Sequence, residues 1–209
     1  MLRFLLTVFV LSIFCINTYA DAISDYEAGK KAYAKKEYQT ALEYFESAIL
    51  KDAEYKDAYY GKGEVEIALK KNNDALESFT KIIELDPENT QAYLTRSFVY
   101  AMEETRDFQK AKEDLDKVIE LDENNLEALQ ARALVNYELK NKLDAYKDIE
   151  QVILIAPDEY VSYGIKAYFE VSDYKFISAI KDYNKFKKLR KDMQTSEEKQ
   201  KFEDFKNEL

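Results

Sequence analysis

The sequence is poor in the residues that make tight turns, because only 4 of its 209 residues are Gly and 2 are Pro. Average usage would give about 25 of the two together. Sandwiches and barrels of β-strands need a turn about every 8 to 12 residues, so this shortage excludes most all-β folds. Long helices joined by short connections remain.

The sequence also lacks most of the side chains on which catalytic and metal sites depend. It has no His, no Trp and one Cys. Ser-His-Asp triads, Cys-His dyads, zinc fingers and His-ligated metals all need residues that are missing. Only carboxylates, Lys and Tyr remain for acid–base chemistry, and no acidic residue stands out from its neighbours. We therefore expect no catalytic residue, no cofactor and no metal site.

Positive charge is in deficit, because 41 Asp and Glu residues outnumber 31 Lys and Arg residues and the formal net charge is −10. Phosphate backbones repel such a chain, so we expect no nucleic-acid partner. The hydrophobic share of 46% is that of a folded globular protein and not of a disordered chain.

Residues 1–20 have the pattern of a secretory signal peptide. Arg3 precedes an apolar run over 4–16, and small residues follow. Cleavage fits after Ala20 or after Ala22. The alternative is an uncleaved membrane anchor, although the run is shorter than the roughly 20 residues of a membrane span. We expect export to the periplasm, the cell envelope or the surroundings, with loss of the only Cys.

The remainder of the chain repeats one pattern five times. An Ala that opens a helical pattern recurs at intervals of 34, 36, 34 and 34 residues, at Ala41, Ala75, Ala111, Ala145 and Ala179. A large apolar residue follows four positions later, at Phe45, Phe79, Leu115, Ile149 and Tyr183. A second helical pattern precedes each Ala and carries a small residue at its middle, at Gly29, Gly63, Ser97, Ala133 and Ala167. These spacings predict pairs of antiparallel helices with one apolar stripe each.

The repeats resemble the tetratricopeptide repeat, a 34-residue helix–turn–helix. The resemblance implies an all-α, right-handed superhelical solenoid of helix pairs. It predicts units at 22–55, 56–89, 90–125, 126–159 and 160–193, with two extra residues in the third. Pro87 and Pro157 mark unit ends. The pattern Thr195-x-x-Glu198 is a capping box, and it predicts a separate helix over 195–209 that covers the last unit.

Charged residues recur at fixed positions of the predicted pairs. A basic residue precedes the small residue of the first helix, and an Asp precedes the large apolar residue of the second helix in the later units. We predict ion pairs that hold the two helices in register, at Arg96–Asp114, Arg132–Asp148 and Lys166–Asp182.

The resemblance implies that the concave face of the first helices binds a protein or peptide, without catalysis. The residues predicted to line this groove are Tyr26, Lys30, Tyr60, Glu64, Leu94, Phe98, Gln130, Leu134, Ile165 and Tyr168. They are unusually apolar for a solvent-facing surface and suit an extended or helical partner segment. The alternative is that several first-helix residues, above all Tyr33 and Tyr137, pack between helices.

Some family members clasp the C-terminal carboxylate of a heat-shock chaperone with Lys and Asn. The matching positions here are Tyr26, Lys30, Gly61, Gln91 and Thr95. Only Lys30 is basic and none is Asn, so the resemblance does not imply that role.

The C-terminal region separates its charges. Residues 181–191 hold six basic residues, and acidic residues follow from Glu197. The basic run is either a patch for anionic headgroups or an acidic partner, or a face that the acidic end helix neutralises. A self-assembling or membrane-associated structural factor of the envelope is the alternative function, and the sequence leaves the oligomeric state open.

Overall fold

The computed structural model describes the backbone of residues 20–207 and the side chains of 20–196, so the predicted signal peptide lies outside it but for Ala20. Every regular element in this range is helical. The helices are α1 (20–34), α2 (Tyr38–Lys51), α3 (Lys56–Ala68), α4 (Asn72–Leu85), α5 (Thr90–Ala101), α6 (Phe108–Leu121), α7 (Leu126–Glu138), α8 (Lys142–Ile155), α9 (Tyr160–Ser172) and α10 (Phe176–Asn207). The fold class is the all-α solenoid of helix pairs that the repeats predict.

The chain forms two compact units, of which the first ends at Asp114 and the second begins at Leu115, within α6. In the first unit, contacts link α2 to α3, α3 to α4 and α4 to α5. In the second unit they link α7 to α8, α8 to α9 and α9 to α10. No helix in the described range is long and apolar enough to cross a bilayer.

Alanine and glycine let the helices of each pair approach closely. The Ala that opens each second helix is buried in all five pairs. A Cβ added to Gly29 or Gly61 would lie 2.8 or 2.6 Å from a ring carbon of Phe45. The backbones of α1 and α3 therefore both contact the Phe45 ring, which a larger residue at either position would displace.

The turn inside each pair uses a left-handed residue that is not glycine. Residues with φ between 44° and 67° recur at the repeat interval, at Lys36, Lys70, Arg106, Lys140 and Tyr174. In the fourth turn, Lys140 N–H donates to Tyr137 O at 3.1 Å and Asn141 N–H to Asn136 O at 2.8 Å, which closes the helix with a Schellman motif. The low glycine content thus leaves strain at these turns, because left-handed backbone disfavours a side chain.

Side chains cap the starts of α5, α7 and α9, the first helices of the third, fourth and fifth pairs, whereas the start of α3 has no side-chain cap. Asn89 Oδ1 accepts from Ala92 N–H at 2.9 Å, and Asn125 Oδ1 accepts from Ala128 N–H at 3.0 Å. Glu159 accepts from Val161 and Ser162 N–H groups at the start of α9. These caps satisfy N–H groups that a helix start leaves without intrahelical partners, and so they fix where these three helices begin.

The three predicted ion pairs are confirmed. Arg96 Nε and Nη2 donate to Asp114 at 2.8 and 2.7 Å, and Arg132 makes the same fork to Asp148 at 2.9 and 2.7 Å. Lys166 Nζ lies 3.8 Å from Asp182 Oδ2.

Burial disfavours both charges of the Arg96–Asp114 pair, and the hydrogen bonds between them favour both. For Asp114 burial outweighs the contact, so its pKa lies above the ordinary value. For Arg96 the contact outweighs burial, and its pKa is also raised. The pair therefore sets helix register more than it adds net stability.

The second pair holds its carboxylate elsewhere. Ser78 stands at the position of Asp114, and the buried Glu66 lies one turn after Lys62. Lys62 Nζ donates to Glu66 at 2.5 Å, and Ser78 Oγ donates to the same carboxylate at 2.7 Å. The second pair thus keeps a charge contact, with its acidic residue on the first helix of the pair and not on the second.

Two predictions for the C-terminal repeat are wrong. The helix boundary expected at Thr195 does not occur, because α10 is one 32-residue helix from Phe176 to Asn207 and Thr195 Oγ1 donates to Lys191 O inside it. Tyr183, predicted to belong to a buried stripe, is 52% exposed. The side chains of this predicted end helix after residue 196 lie outside the described range.

Candidate functional site

A cavity of about 300 Å³ opens between α1 and α3 in the first compact unit. Four of the predicted groove residues line it, namely Tyr26, Lys30, Tyr60 and Glu64. The buried Phe45 closes one wall, and it reaches the cavity beside Gly61, which has no side chain to cover the ring. The Phe45 ring, which the backbones of α1 and α3 both contact, therefore also forms part of this pocket.

Tyr33 and Asp57 complete the lining of this first cavity. Tyr33 is half-buried, and its ring lies 5.8 Å from that of Tyr38, so it both packs and faces the pocket. Asp57 was not among the predicted residues because it lies in the first turn of α3, away from the middle of the pattern. The sequence could have indicated Asp57, because it lies three residues before Tyr60 and shares one helix face with it.

A second cavity adjoins the first. Asp57 and Tyr60 line both, and Asn89 and Gln91 extend the second toward α5. Tyr60 Oη lies 3.2 Å from Thr95 Oγ1, and Gln91 Nε2 donates to both hydroxyl oxygens at 3.4 and 3.3 Å. The inner face of α1, α3 and α5 is thus a continuous, partly polar depression.

Burial is the main cause of the raised pKa values of the Glu64, Tyr26 and Tyr33 side chains in the first cavity. It raises the pKa of the Glu64 carboxyl above its ordinary value. Burial, and then the nearby Asp57 carboxylate, raise the pKa of Tyr26, while burial and Glu64 raise that of Tyr33. The tyrosines are therefore neutral aromatic rings beside two carboxyl groups at neutral pH.

The two other groove residues predicted in the first unit, Leu94 and Phe98, differ in their exposure. Leu94 is 4% exposed, so its assignment to the groove surface is wrong, and it packs in the interior of the repeat. Phe98, one turn later, is 42% exposed. The two residues are four apart and lie near one another on the same helix face, so tertiary packing and not the helical repeat makes their exposure differ.

In the second unit, Leu134 and Tyr168 are exposed at 40% and 52%. Ile165 is half-buried against the core that includes Ile149. Gln130 Nε2 donates to Glu159 Oε2 at 2.6 Å and to Ser162 Oγ at 3.0 Å. Only the first two residues are thus open apolar surface, while Gln130 and Ile165 help to hold the fourth and fifth repeats together.

The packing alternative holds for Tyr137. Its ring stacks on Phe169 at a centroid distance of 4.2 Å, and its hydroxyl donates to Phe169 O at 3.3 Å and Asp173 Oδ1 at 3.0 Å. Tyr137 is buried and belongs to the core of the second unit.

A separate apolar surface lies on the last helix pair. Its exposed side chains are Val171, Tyr174, Phe176, Ile177, Ile180 and Tyr183. Ile177 is 89% exposed, as expected where another repeat would stack in a longer array. The basic run 181–191 continues along the same helix, so an end helix folded back on it does not neutralise it.

Within the described side chains, no group of three or more Cys, Asp and Glu residues is placed to hold a metal ion. The first cavity brings together aromatic rings, carboxyl groups and one ammonium group. This arrangement can bind a ligand by ring contacts and charge.

Two models of the tetratricopeptide repeat match the chain, over residues 32–97 and 90–125. Among curated proteins, none matches it.

Solved structures share the fold at low sequence identity. MamA 41-end from Desulfovibrio magneticus RS-1 has a TM-score of 0.73 at 14% identity, over 82% of this chain and 96% of that one. YrrB, described as a TPR protein with an unusual peptide-binding site, has a TM-score of 0.65 at 19% identity, over 87% and 92%. The first TPR of Spaghetti (RPAP3), bound to an HSP90 peptide, has a TM-score of 0.53 at 23% identity, over 58% and 95%. The chain therefore contains tetratricopeptide repeats over residues 32–125, and its fold is the one that these repeat proteins share.

Proposed function

We propose that this protein is an exported, non-enzymatic scaffold that binds a segment of a partner protein along the first helices of its repeats. The observation that carries the proposal is the pair of adjoining cavities on α1, α3 and α5, which share Asp57 and Tyr60. A protein segment that crosses successive first helices would fill both.

Two structural neighbours support a peptide as the ligand. YrrB is described by its peptide-binding site, and the RPAP3 repeat was solved with an HSP90 peptide. The chaperone peptide itself is a poor guide here. Gln91 and Thr95 occupy two of the matching positions and bond to each other and to Tyr60, and Lys30 is the only cation at any of these positions.

Site-specific crosslinking tests the binding face. A photoreactive phenylalanine analogue replaces Tyr60 in the cavity or, as a matched control, the exposed Tyr44 on α2. After irradiation in an extract of the native cells, we expect a defined adduct from position 60 and none from position 44. Equal adducts from both positions, or none from either, would overturn the proposal.

Export is tested by the N-terminus of the protein recovered outside the cytoplasm. Ala22 is buried in the first repeat, so a cut after Ala20 keeps a packing contact that a cut after Ala22 would remove with the residue itself. We propose the first of these. Intact mass should show loss of residues 1–20, whereas an intact N-terminus in the membrane fraction would support the anchored alternative.

Self-assembly is the second candidate, and the apolar end of the last repeat favours it. A monomer rarely exposes a contiguous apolar surface of several large side chains. A second copy of the chain would cover Ile177 and Ile180, which are 89% and 62% exposed. Light scattering of the full chain should then show a mass that rises with concentration, and Ile180→Glu should abolish the rise; a constant monomer mass would exclude this candidate.

A further inference from the structure

The first cavity has the composition of a site for a positively charged group. Three tyrosines line it, Tyr26, Tyr33 and Tyr60, together with the buried ring of Phe45. The faces of such rings carry partial negative charge and attract cations. Its volume of about 300 Å³ is at the small end of the range for ligand pockets, suited to one side chain.

One carboxyl group of the cavity, that of Glu64, lacks a cationic partner of its own. Among the contacts of the described residues, Glu64 makes no hydrogen bond and no ion pair, although it is half-buried, and the cation nearest to it in the lining, Lys30, is paired elsewhere. A half-buried carboxylate without a partner is unfavourable in the free protein, and a cationic ligand would relieve that cost. Asp57 adds a second carboxyl group to the same lining.

Lys30 shows how the rings receive an ammonium group. Its Nζ lies 5.1 Å from the centroid of the Tyr26 ring and 3.0 Å from Glu27 Oε1. Lys30 pairs with Glu27 and is also attracted by Asp57, so it leaves the Glu64 carboxyl group without a cationic partner. An anionic ligand would have to displace Glu27 and approach Asp57 and Glu64, and so the charges disfavour it.

We infer that the first cavity binds a lysine or arginine side chain of the partner segment, with its alkyl stem on the tyrosine rings and its charged head at Glu64. This inference rests on the proposed function and names the chemistry that its first subsite recognises. Long basic side chains suit such a pocket because their stems are apolar and their ends are charged.

Small probes with linear side chains of different charge test the inference on the full chain. They are Nα-acetyl-lysine methylamide, the neutral norleucine analogue and the acidic glutamate analogue, titrated at pH 7 while the NMR signals of Tyr26, Tyr33 and Tyr60 are followed. We expect the lysine probe to bind at least about fivefold more tightly than the norleucine probe, in line with a partly desolvated cation on aromatic rings. Equal or tighter binding of the norleucine or glutamate probe would overturn the inference.

Glu64→Gln keeps the shape of the side chain and removes its charge, and Glu43→Gln on the exposed part of α2 is the matched control. We expect Glu64→Gln to remove the preference for lysine and Glu43→Gln to keep it, with unchanged circular dichroism in both. A lysine preference that survives Glu64→Gln would refute the role of Glu64.

The pH dependence gives a second readout of Glu64. The groups that face it are Tyr26, Lys30 and Tyr33 from α1 and Asp57 and Tyr60 from α3. Burial raises its pKa, so the lysine preference should weaken as the pH falls through that raised value. Failure of the probes with a position-60 crosslink intact would refute only this inference, whereas probe binding without any crosslink would refute the proposed function.

Discussion

At the scale of single residues, charge contacts inside each helix pair constrain its geometry. Asp148 accepts the fork of Arg132 and also a hydrogen bond from Asn136 Nδ2 at 3.2 Å. Arg132 makes a further contact to Asp116 at 2.8 Å. One carboxylate thus satisfies two buried donors, so its loss should cost more than the pair contributes.

We expect Asp148→Ala to lower the free energy of unfolding by about 2–4 kcal/mol, because it strands the Arg132 and Asn136 donors. Urea denaturation of the full chain measures the change. Asp158→Ala, in an exposed turn, is the control and should change it by less than about 0.5 kcal/mol. An unchanged midpoint for Asp148→Ala would show that the pair is incidental.

The left-handed turns offer a stabilising substitution. Lys140 has a φ of 67° and is exposed, so glycine there relieves backbone strain without loss of a buried contact. We expect Lys140→Gly to raise the free energy of unfolding by about 0.5–1 kcal/mol, after the entropy cost of glycine. Lys147→Gly, inside α8, should lower it by about 1 kcal/mol. Equal effects of the two substitutions would refute the strain at Lys140.

At the scale of elements, the sequence prediction and the structure differ in the C-terminal helix. A capping box was a reasonable sign of a helix start at Thr195, because Thr and Glu three residues apart satisfy free N–H groups there. The same residues are also compatible with a helix interior. No Gly or Pro stands between Phe176 and Asn207, so nothing in the sequence stops the helix.

A proline at position 196 distinguishes a continuous α10 from a separate end helix. Ser196 would be the first helical residue of a separate end helix, where proline is well tolerated. In the observed α10 it is internal, and its hydroxyl donates to Asp192 O at 3.0 Å. We expect Ser196→Pro to reduce the helical circular dichroism signal relative to Ser196→Ala, since proline removes a hydrogen bond and clashes with the preceding turn. Identical spectra would favour the separate helix.

At the scale of the whole molecule, acidity should control stability. Burial raises the pKa of Glu64, and burial followed by the charge of Asp182 raises that of Glu170. A raised carboxyl pKa means that the folded protein binds more protons than the unfolded chain above pH of about 4.5, so stability falls as the pH rises through the folded value. The formal charge of −10 at pH 7 adds repulsion in the same direction.

We therefore expect the thermal midpoint of the full chain to be higher at pH 5 than at pH 8, measured by circular dichroism at low protein concentration. The hydrogen bond from Lys142 lowers the pKa of Asp173, so its contribution is lost only as the pH falls below about 3.8 and does not oppose this trend. The Glu64→Gln, Glu170→Gln double variant should show a smaller difference between the two pH values. A midpoint that rises from pH 5 to pH 8 would contradict the argument.

The sequence alone determined the repeat architecture, because a 34-residue interval, an Ala at each close contact and apolar residues at helical spacing are local properties of the chain. It also identified the three ion pairs, since register follows from the same spacing. Four residues of the first cavity were predictable as well, because they share one face of α1 or α3.

Tertiary packing decided which groove residues are open. Leu94 and Phe98 have the same apolar character and differ only in the neighbours that cover them, so one is buried and the other exposed. The cavity itself depends on Gly61, Phe45 and Asp57, which lie on three different turns of two helices and meet only when α2 packs against α3. The sequence also did not predict that α10 is continuous. A capping-box pattern starts a helix only where the chain enters it from a turn, and tertiary structure decides whether such a turn is present.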